Sequence, residues 1–240
     1  MKIIGHRGAR GEAPENTLGG FRYLHQLGIR ATEFDIRQLQ DHHLIVIHDD
    51  NFVRTTGQIQ HVESCTLAQA QQFDHRHQWQ TWTETEYTPS LQQTLSCLSD
   101  FEHIEVEIKA VADETAAESL VQQLQQELQG FEQIATITSF DVKILAALQQ
   151  CQSHFKRGLL IELPLGEYAI ELAQQYQCVR IGWKDQLATD DMIQRTQQAQ
   201  LDVSVWTVND VERAKHLQQQ GIQGLITDVP KVMLQHLSLD

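Results

Sequence analysis

From about residue 89 to residue 229 the chain alternates short aliphatic and β-branched runs with longer polar, Gln-rich stretches. The runs are HIEVEI (103–108), IATITSF (134–140), RGLLIEL (157–163), CVRIG (178–182), LDVSVWTV (201–208) and GLITDV (224–229). The stretches between them, such as ETAAESLVQQLQQELQ (114–129) and DVERAKHLQQQG (210–221), place apolar residues every third or fourth position. That spacing gives a helix one buried face, whereas short continuous apolar runs suit strands covered on both sides. Few folds accept such a pattern, and it argues for βα units around a parallel sheet. Asp141, Asp190 and Asp210 stand where helix N-caps are expected, and Gly221 just past a helix end.

Three more strand candidates precede residue 89: KIIGH (2–6), ATEFDI (31–36) and LIVIHD (44–49). Nine runs over 240 residues predict a single (β/α)8 TIM barrel spanning 1–240 rather than an open sheet. One run is surplus to an eight-stranded closure. The link from Asp35 to Leu44 is also too short for a helical crossover, so a helix is missing there or one run is accessory. Residues 51–87, after the third strand, are longer than a usual βα connection and carry Phe73, Trp79, Trp82 and several histidines. They are expected to form an insertion, a lid-like excursion over the C-terminal face of the barrel. Pro89 is then placed to start the next helix.

Charge narrows the partners. A formal net charge of −14 repels polyanions, so nucleic acid and acidic membrane surfaces are poor partners. A phosphate ligand stays open, because a pocket can be locally basic or hold a metal. The first residues are too short an apolar run for a signal peptide, and no run reaches the roughly 18 apolar residues of a spanning helix. The four cysteines, Cys65, Cys97, Cys151 and Cys178, are widely spaced and read as reduced, buried residues. The expectation is a cytoplasmic protein without a stable membrane anchor. Its oligomeric state stays open, a homodimer among the options.

Chemistry gathers where the strands end. IIGHRG ends on His6 and Arg7, TEFD on Glu33 and Asp35, LIVIHD on His48 and Asp49, and IEVEIK on Glu107 and Lys109. In a β/α barrel these ends line the active site. Residues two apart on a strand share a face, so Glu33 pairs with Asp35, and Glu105 with Glu107 and Lys109. Carboxylates pointing into a barrel are costly unless paired or bound to a metal. Three of them on two strands suit a hard divalent cation, Mg²⁺ or Ca²⁺, whereas zinc would want more His or Cys. Arg7 and Lys109 can grip an oxyanion, and two histidines can carry protons. Metal, basic clamp and proton carriers together describe phosphoryl transfer.

The ordered set HRG…PENT (6–17), EFDI (33–36), LIVIHDDNFVRTTG (44–57), TPSL (88–91), EIK (107–109), TSFD (138–141), VWTVN (205–209) and TDVP (227–230) resembles the glycerophosphodiester phosphodiesterase family. The resemblance runs from residue 2 to about 230. It implies hydrolysis of glycerophosphodiesters, small-molecule substrates, to sn-glycerol 3-phosphate and an alcohol, with attack by a neighbouring glycerol hydroxyl and a cyclic phosphate between. It implies His6 and His48 as the acid/base pair, Glu33, Asp35 and Glu107 as metal ligands, and Arg7 and Lys109 on phosphate. This chain departs from the family in Gly19-Gly20, which should weaken the helix after the ENT segment, and in Asp41-His42 where Asp-Gly is usual.

Other residues take plainer readings. Trp206 is assigned to the wall of the substrate pocket, with simple packing the alternative. Glu162 ends a strand and could reach the cleft, with a structural ion pair the equal alternative; Asp228 is read as a turn residue before Pro230, and His61, His75 and His77 as a solvated loop. Two alternatives keep the barrel: a lysophospholipase D-like or phospholipase-like enzyme acting on lipids, and a non-catalytic barrel that binds a phosphorylated metabolite.

Overall fold

A computed structural model describes residues 1–237. Eight parallel strands close a barrel: β1 (Lys2–His6), β2 (Ala31–Gln38), β4 (His103–Ile108), β5 (Ala135–Ser139), β6 (Lys156–Ile161), β7 (Arg180–Lys184), β8 (Asp202–Trp206) and β9 (Gly224–Thr227). Pairing of β1 with both β9 and β2 completes the circle, with His6 opposite Glu33. The surplus ninth run is β3 (Leu44–Val46), which lies antiparallel on β2 outside the barrel. Residues 39–43 return the chain too tightly for a helix but suitably for a hairpin. His42 sits in that turn at φ 65, the left-handed region a glycine would enter without steric cost.

The helices are α1 (Leu18–Gln26), α2 (Val53–Thr56), α3 (Leu67–Ala70), α4 (Leu91–Cys97), α5 (Glu114–Glu127), α6 (Val142–Gln150), α7 (Tyr168–Gln175), α8 (Asp190–Gln198), α9 (Val211–Gln219) and α10 (Pro230–His236). Thr17, Asp141 and Asp210 cap α1, α6 and α9 through their side chains, and Gly221 at φ 75 follows α9. Two caps differ from expectation. Thr189 caps α8, so Asp190 lies inside its first turn, where a carboxylate still favours the helix dipole. Ser90 caps α4 with Gln93 closing a capping box, and Pro89 precedes the helix.

Strand alternation sorts the core. Phe34, Ile36, Val106, Ile108, Val203 and Val205 face outward and pack with the apolar faces of the helices. Ile4, Ala31 and Ile226 fill part of the interior. The same alternation turns Glu105 inward, where it is fully buried rather than on an exposed edge. Arg180 binds it, and His103 Nε2 lies 3.1 Å from the same oxygen. Burial works against ionisation of Glu105, but Arg180 outweighs it and holds the carboxyl at about 2. Cys65 and Cys178 are buried as expected, whereas Cys151 is exposed and Cys97 half-buried.

Residues 51–87 have a small core of their own. Phe52, Val62, Cys65 and Ala70 pack with Leu39, Ile45 and Ile47, and Phe52 meets Phe73 edge-on at 4.9 Å. The segment docks on α1 at Gly19, while a Cβ on Gly20 would lie 2.6 Å from the Pro14 carbonyl oxygen. Gly19 N donates to Glu86 Oε2 at 2.9 Å, and a Cβ on Gly19 would lie 2.0 Å from Glu86 Oε1. The helix propensity lost at Gly19-Gly20 is therefore the requirement of a close approach.

His75 is part of this packing, not of a solvated loop. It is 1% exposed, its Nε2 sits 2.7 Å from Thr88 Oγ1, and burial pushes its imidazole down to about 4. An unfolded histidine takes its proton near pH 6.5. Between about pH 6.5 and 4 the unfolded chain therefore binds the extra proton, and stability falls as pH falls. His75→Gln should remove on the order of 1–3 kcal/mol of that acid-side loss. Urea midpoints of both proteins from pH 7 to 4 check it; parallel pH profiles would contradict the assignment.

Candidate active site

The C-terminal strand ends open into a cavity of about 500 Å³ whose lining includes His6, Arg7, Glu33, His48, Glu107 and Lys109. The His-Arg-Gly sequence ending β1 is a sharp turn. Arg7 stands at φ 52 and Gly8 at φ 87, and a Cβ on Gly5 would lie 1.9 Å from the Gly8 carbonyl oxygen. This folding-back sends His6 into the barrel mouth and aims the Arg7 backbone N–H at Glu33 Oε2, 3.1 Å away. A non-glycine residue held at positive φ beside a cleft is the kind of strain found at functional sites.

Glu33, Asp35 and Glu107 converge, with one carboxylate oxygen of each lying within 4.8 Å of the others. All three are buried. Asp35 accepts from Asn16 Nδ2 at 2.9 Å, lies 3.2 Å from Arg7 Nε and is paired with Lys109, which also pairs with Glu107. Glu33 Oε1 is buried without a hydrogen-bond partner. Burial, then the charges of Asp35 and Glu107, push the Glu33 carboxyl well above its ordinary range. Burial and Asp35 push Glu107 up to about 7. Burial opposes ionisation of Asp35 too, but Lys109 and Arg7 prevail and hold it well below the usual carboxylate range. Crowded carboxylates with an orphaned oxygen fit a hard cation, whose charge would relieve their repulsion.

The two imidazoles are held alike. His6 Nδ1 lies 2.6 Å from Asp228 Oδ1, and His48 Nδ1 lies 2.7 Å from Asp49 Oδ1. A carboxylate can only accept, so each Nδ1 carries the proton and each Nε2 is left as the reactive nitrogen. His6 Nε2 stands 3.9 Å from Glu33 Oε2, on the cluster side. Burial lowers the His6 pKa against the opposing pull of Asp228. Trp206 lines the cavity, its Nε1 fixed on the Gly182 carbonyl at 3.0 Å and its ring edge-on to Phe140 at 5.4 Å.

The whole arrangement occupies a segment that a single family description spans. Residues 6–232 match the model of the glycerophosphoryl diester phosphodiesterase family. The chain belongs to that family. A glycerophosphodiester phosphodiesterase of Caldanaerobacter subterraneus is 26% identical to it over 236 residues, covering 97% of this chain and 96% of the relative. Among solved structures, a glycerophosphoryl diester phosphodiesterase from Silicibacter pomeroyi superposes with a TM-score of 0.88 at 23% identity, covering 98% of this chain and 92% of the other. A phosphodiesterase of Oleispira antarctica, in complex with the product sn-glycerol-3-phosphate, gives 0.88 at 22% identity, covering 98% and 96%. These likenesses in structure show the same barrel fold.

Several residues of this phosphodiesterase site were not singled out by sequence. Asp228 reads as a turn because it precedes Val-Pro, yet it sits at the end of β9 as the other site residues sit at theirs. Arg37 lines the cavity two residues past Asp35 on β2, an alternation signal open to reading. Glu162, for which the sequence left both the cleft and an ion pair open, lines it as well. Glu15 carries no periodic signal: it is a loop carboxylate, buried against Arg7, Arg10 and Arg54. Burial works against its charge, but Arg54 and Arg7 hold it at about 2.

Proposed function

We propose that this phosphodiesterase hydrolyses glycerophosphodiesters to sn-glycerol 3-phosphate and an alcohol, with a divalent cation, Mg²⁺ or Ca²⁺, and with His6 and His48 as acid and base. The observation that carries the reading is the meeting of three carboxylates, two cations and two carboxylate-held imidazoles in one cavity. Glu33, Asp35 and Glu107 would hold the cation, which supplies charge neutralisation at a phosphoryl oxygen when bound. Arg7 and Lys109 stand beside the cluster and offer positive charge to the remaining oxygens of the diester.

The proton path follows from the imidazoles. One Nε2 accepts the proton of the neighbouring glycerol hydroxyl as that oxygen bonds to phosphorus. The other Nε2 gives a proton to the departing alcohol oxygen as its bond to phosphorus breaks, leaving a cyclic phosphate. Water then opens the ring with the two roles reversed, and the histidines return to their starting states. Trp206 and Phe140 wall the apolar side, where the glycerol carbons would rest. A lid role for residues 51–87 is part of this reading, supported by Trp79 Nε1 donating at 3.0 Å to the carbonyl of Arg10, a residue of the cavity lining. A cytoplasmic setting agrees with four unpaired cysteines.

One observation favours the lipid-directed reading. Leu163 and Leu165 in the loop after β6, and Tyr168 at the start of α7, are exposed close in sequence to Glu162 of the cavity lining. No helix among the described residues is long and apolar enough to cross a membrane. A panel from glycerophosphoethanolamine to a long-chain lysophospholipid, assayed with each cation, separates the two readings. Higher kcat/KM on the small diesters is expected; a preference for the lysolipid would move the function to the lipid class.

A further inference from the structure

The two proton carriers are braced differently. Asp228, behind His6, is held between the loops that follow β8 and β9: Asn209 Nδ2 donates to its Oδ2 at 2.8 Å, and its own N–H donates to Asn209 Oδ1 at 2.9 Å. His48 follows β3 on a loop, its side chain 35% exposed. Its Nδ1 contact with Asp49 is the one hydrogen bond of its ring among the described residues. What fixes that ring is therefore whatever fixes Asp49.

Arg54 does so. It lies in α2, within residues 51–87. Its Nε donates to Asp49 Oδ2 at 2.7 Å, while Nη1 and Nη2 donate to the two oxygens of Glu15, each at 2.7 Å. Glu15, its side chain 2% exposed, also accepts from Arg7 Nη1 at 3.0 Å. One guanidinium thus joins His48 through Asp49 to a buried carboxylate of the β1–α1 loop. The planar fork dictates the angle, because two N–H groups are spent on Glu15 and a third must meet Asp49. A lysine could supply the charge but not three directed donors at once.

We propose that Arg54 is the positioning residue of His48: seated on Glu15, it holds Asp49 so that the His48 proton stays on Nδ1 and Nε2 stays turned to the cavity. Seating of the 51–87 segment then sets the geometry of one proton carrier. The inference rests on His48 being such a carrier for its catalytic consequence, but not for its structural one.

The test uses the full chain with Arg54→Met, Arg54→Lys and Asp49→Asn. Two readouts are taken: ¹⁵N shifts of the imidazoles in the ligand-free protein, and kcat and KM on glycerophosphocholine with Mg²⁺. The wild type should show His48 protonated on Nδ1. Arg54→Met and Asp49→Asn should give His48 averaged or Nε2-protonated shifts with His6 unchanged. kcat should fall about 10- to 100-fold, the cost usual for losing a partner behind a reactive group, with KM within about threefold. Arg54→Lys should recover little, and dilute, non-denaturing guanidinium should restore part of kcat in Arg54→Met. If Arg54→Met fails to fold, Asp49→Asn, which preserves shape, carries the test. Unchanged His48 shifts in the folded variants, or His6 shifts that move as far, would overturn the proposal. Altered His48 shifts with wild-type kcat would support the positioning and overturn the acid/base role of His48.

Discussion

His6→Ala and His48→Ala should each abolish turnover of glycerophosphocholine, with kcat falling on the order of 10²–10⁴-fold while the fold persists. The loss is expected to be of similar size because each step of the proposed reaction moves one proton on and one proton off, and either imidazole missing leaves a bare alkoxide or an unactivated hydroxyl. Neither residue supports the barrel wall. His48 lies beyond β3 on a loop, and His6 faces the cavity at the end of β1. His6→Asn is the stricter control, since its amide can still donate to Asp228 and so keeps that carboxylate satisfied. It should be as inactive as His6→Ala, with its thermal midpoint nearer the wild type. Near-native kcat in any of these variants would refute the acid/base assignment.

Removal of divalent metal is the second large effect. Excess chelator should stop the reaction, and Mg²⁺ or Ca²⁺ should restore it. The cluster explains why: Glu33, Asp35 and Glu107 repel one another inside a buried pocket, and Arg7 and Lys109 compensate Asp35 far better than Glu33. A bound cation should therefore also stabilise the folded state, by about 2.7 kcal/mol at a hundredfold excess over its Kd. Glu107→Gln should reduce both the activity and this thermal shift. Full activity in excess chelator would remove the metal from the account.

The barrel was legible because its strands are short apolar runs separated by amphipathic helices, a pattern that survives without any tertiary information. The site was legible for a related reason. Residues at i and i+2 on a strand share a face, so Glu33 with Asp35 and Glu107 with Lys109 could be placed together before their surroundings were known. What stayed hidden depends on contacts between distant segments. LIVIHD has the composition of a barrel strand, and only its short link to β2 hints that it pairs antiparallel. Gly19-Gly20 looks like a weak helix start until Glu86, far along the chain, is found against Gly19 and the Pro14 carbonyl against Gly20. His75 looks solvated among polar neighbours, and Glu15 looks like an ordinary loop acid, until folding brings Thr88 to one and three arginines to the other.

The proposed binding of one cation by the three buried acids can be tested directly. Crystals soaked in Mn²⁺, a spectroscopically visible substitute for Mg²⁺, should show one strong anomalous peak held by Glu33, Asp35 and Glu107, and Glu107→Gln should weaken or erase it. A saturating soak that leaves this pocket without a peak, in crystals of protein that still cleaves glycerophosphocholine, would contradict the metal-centred account of the site.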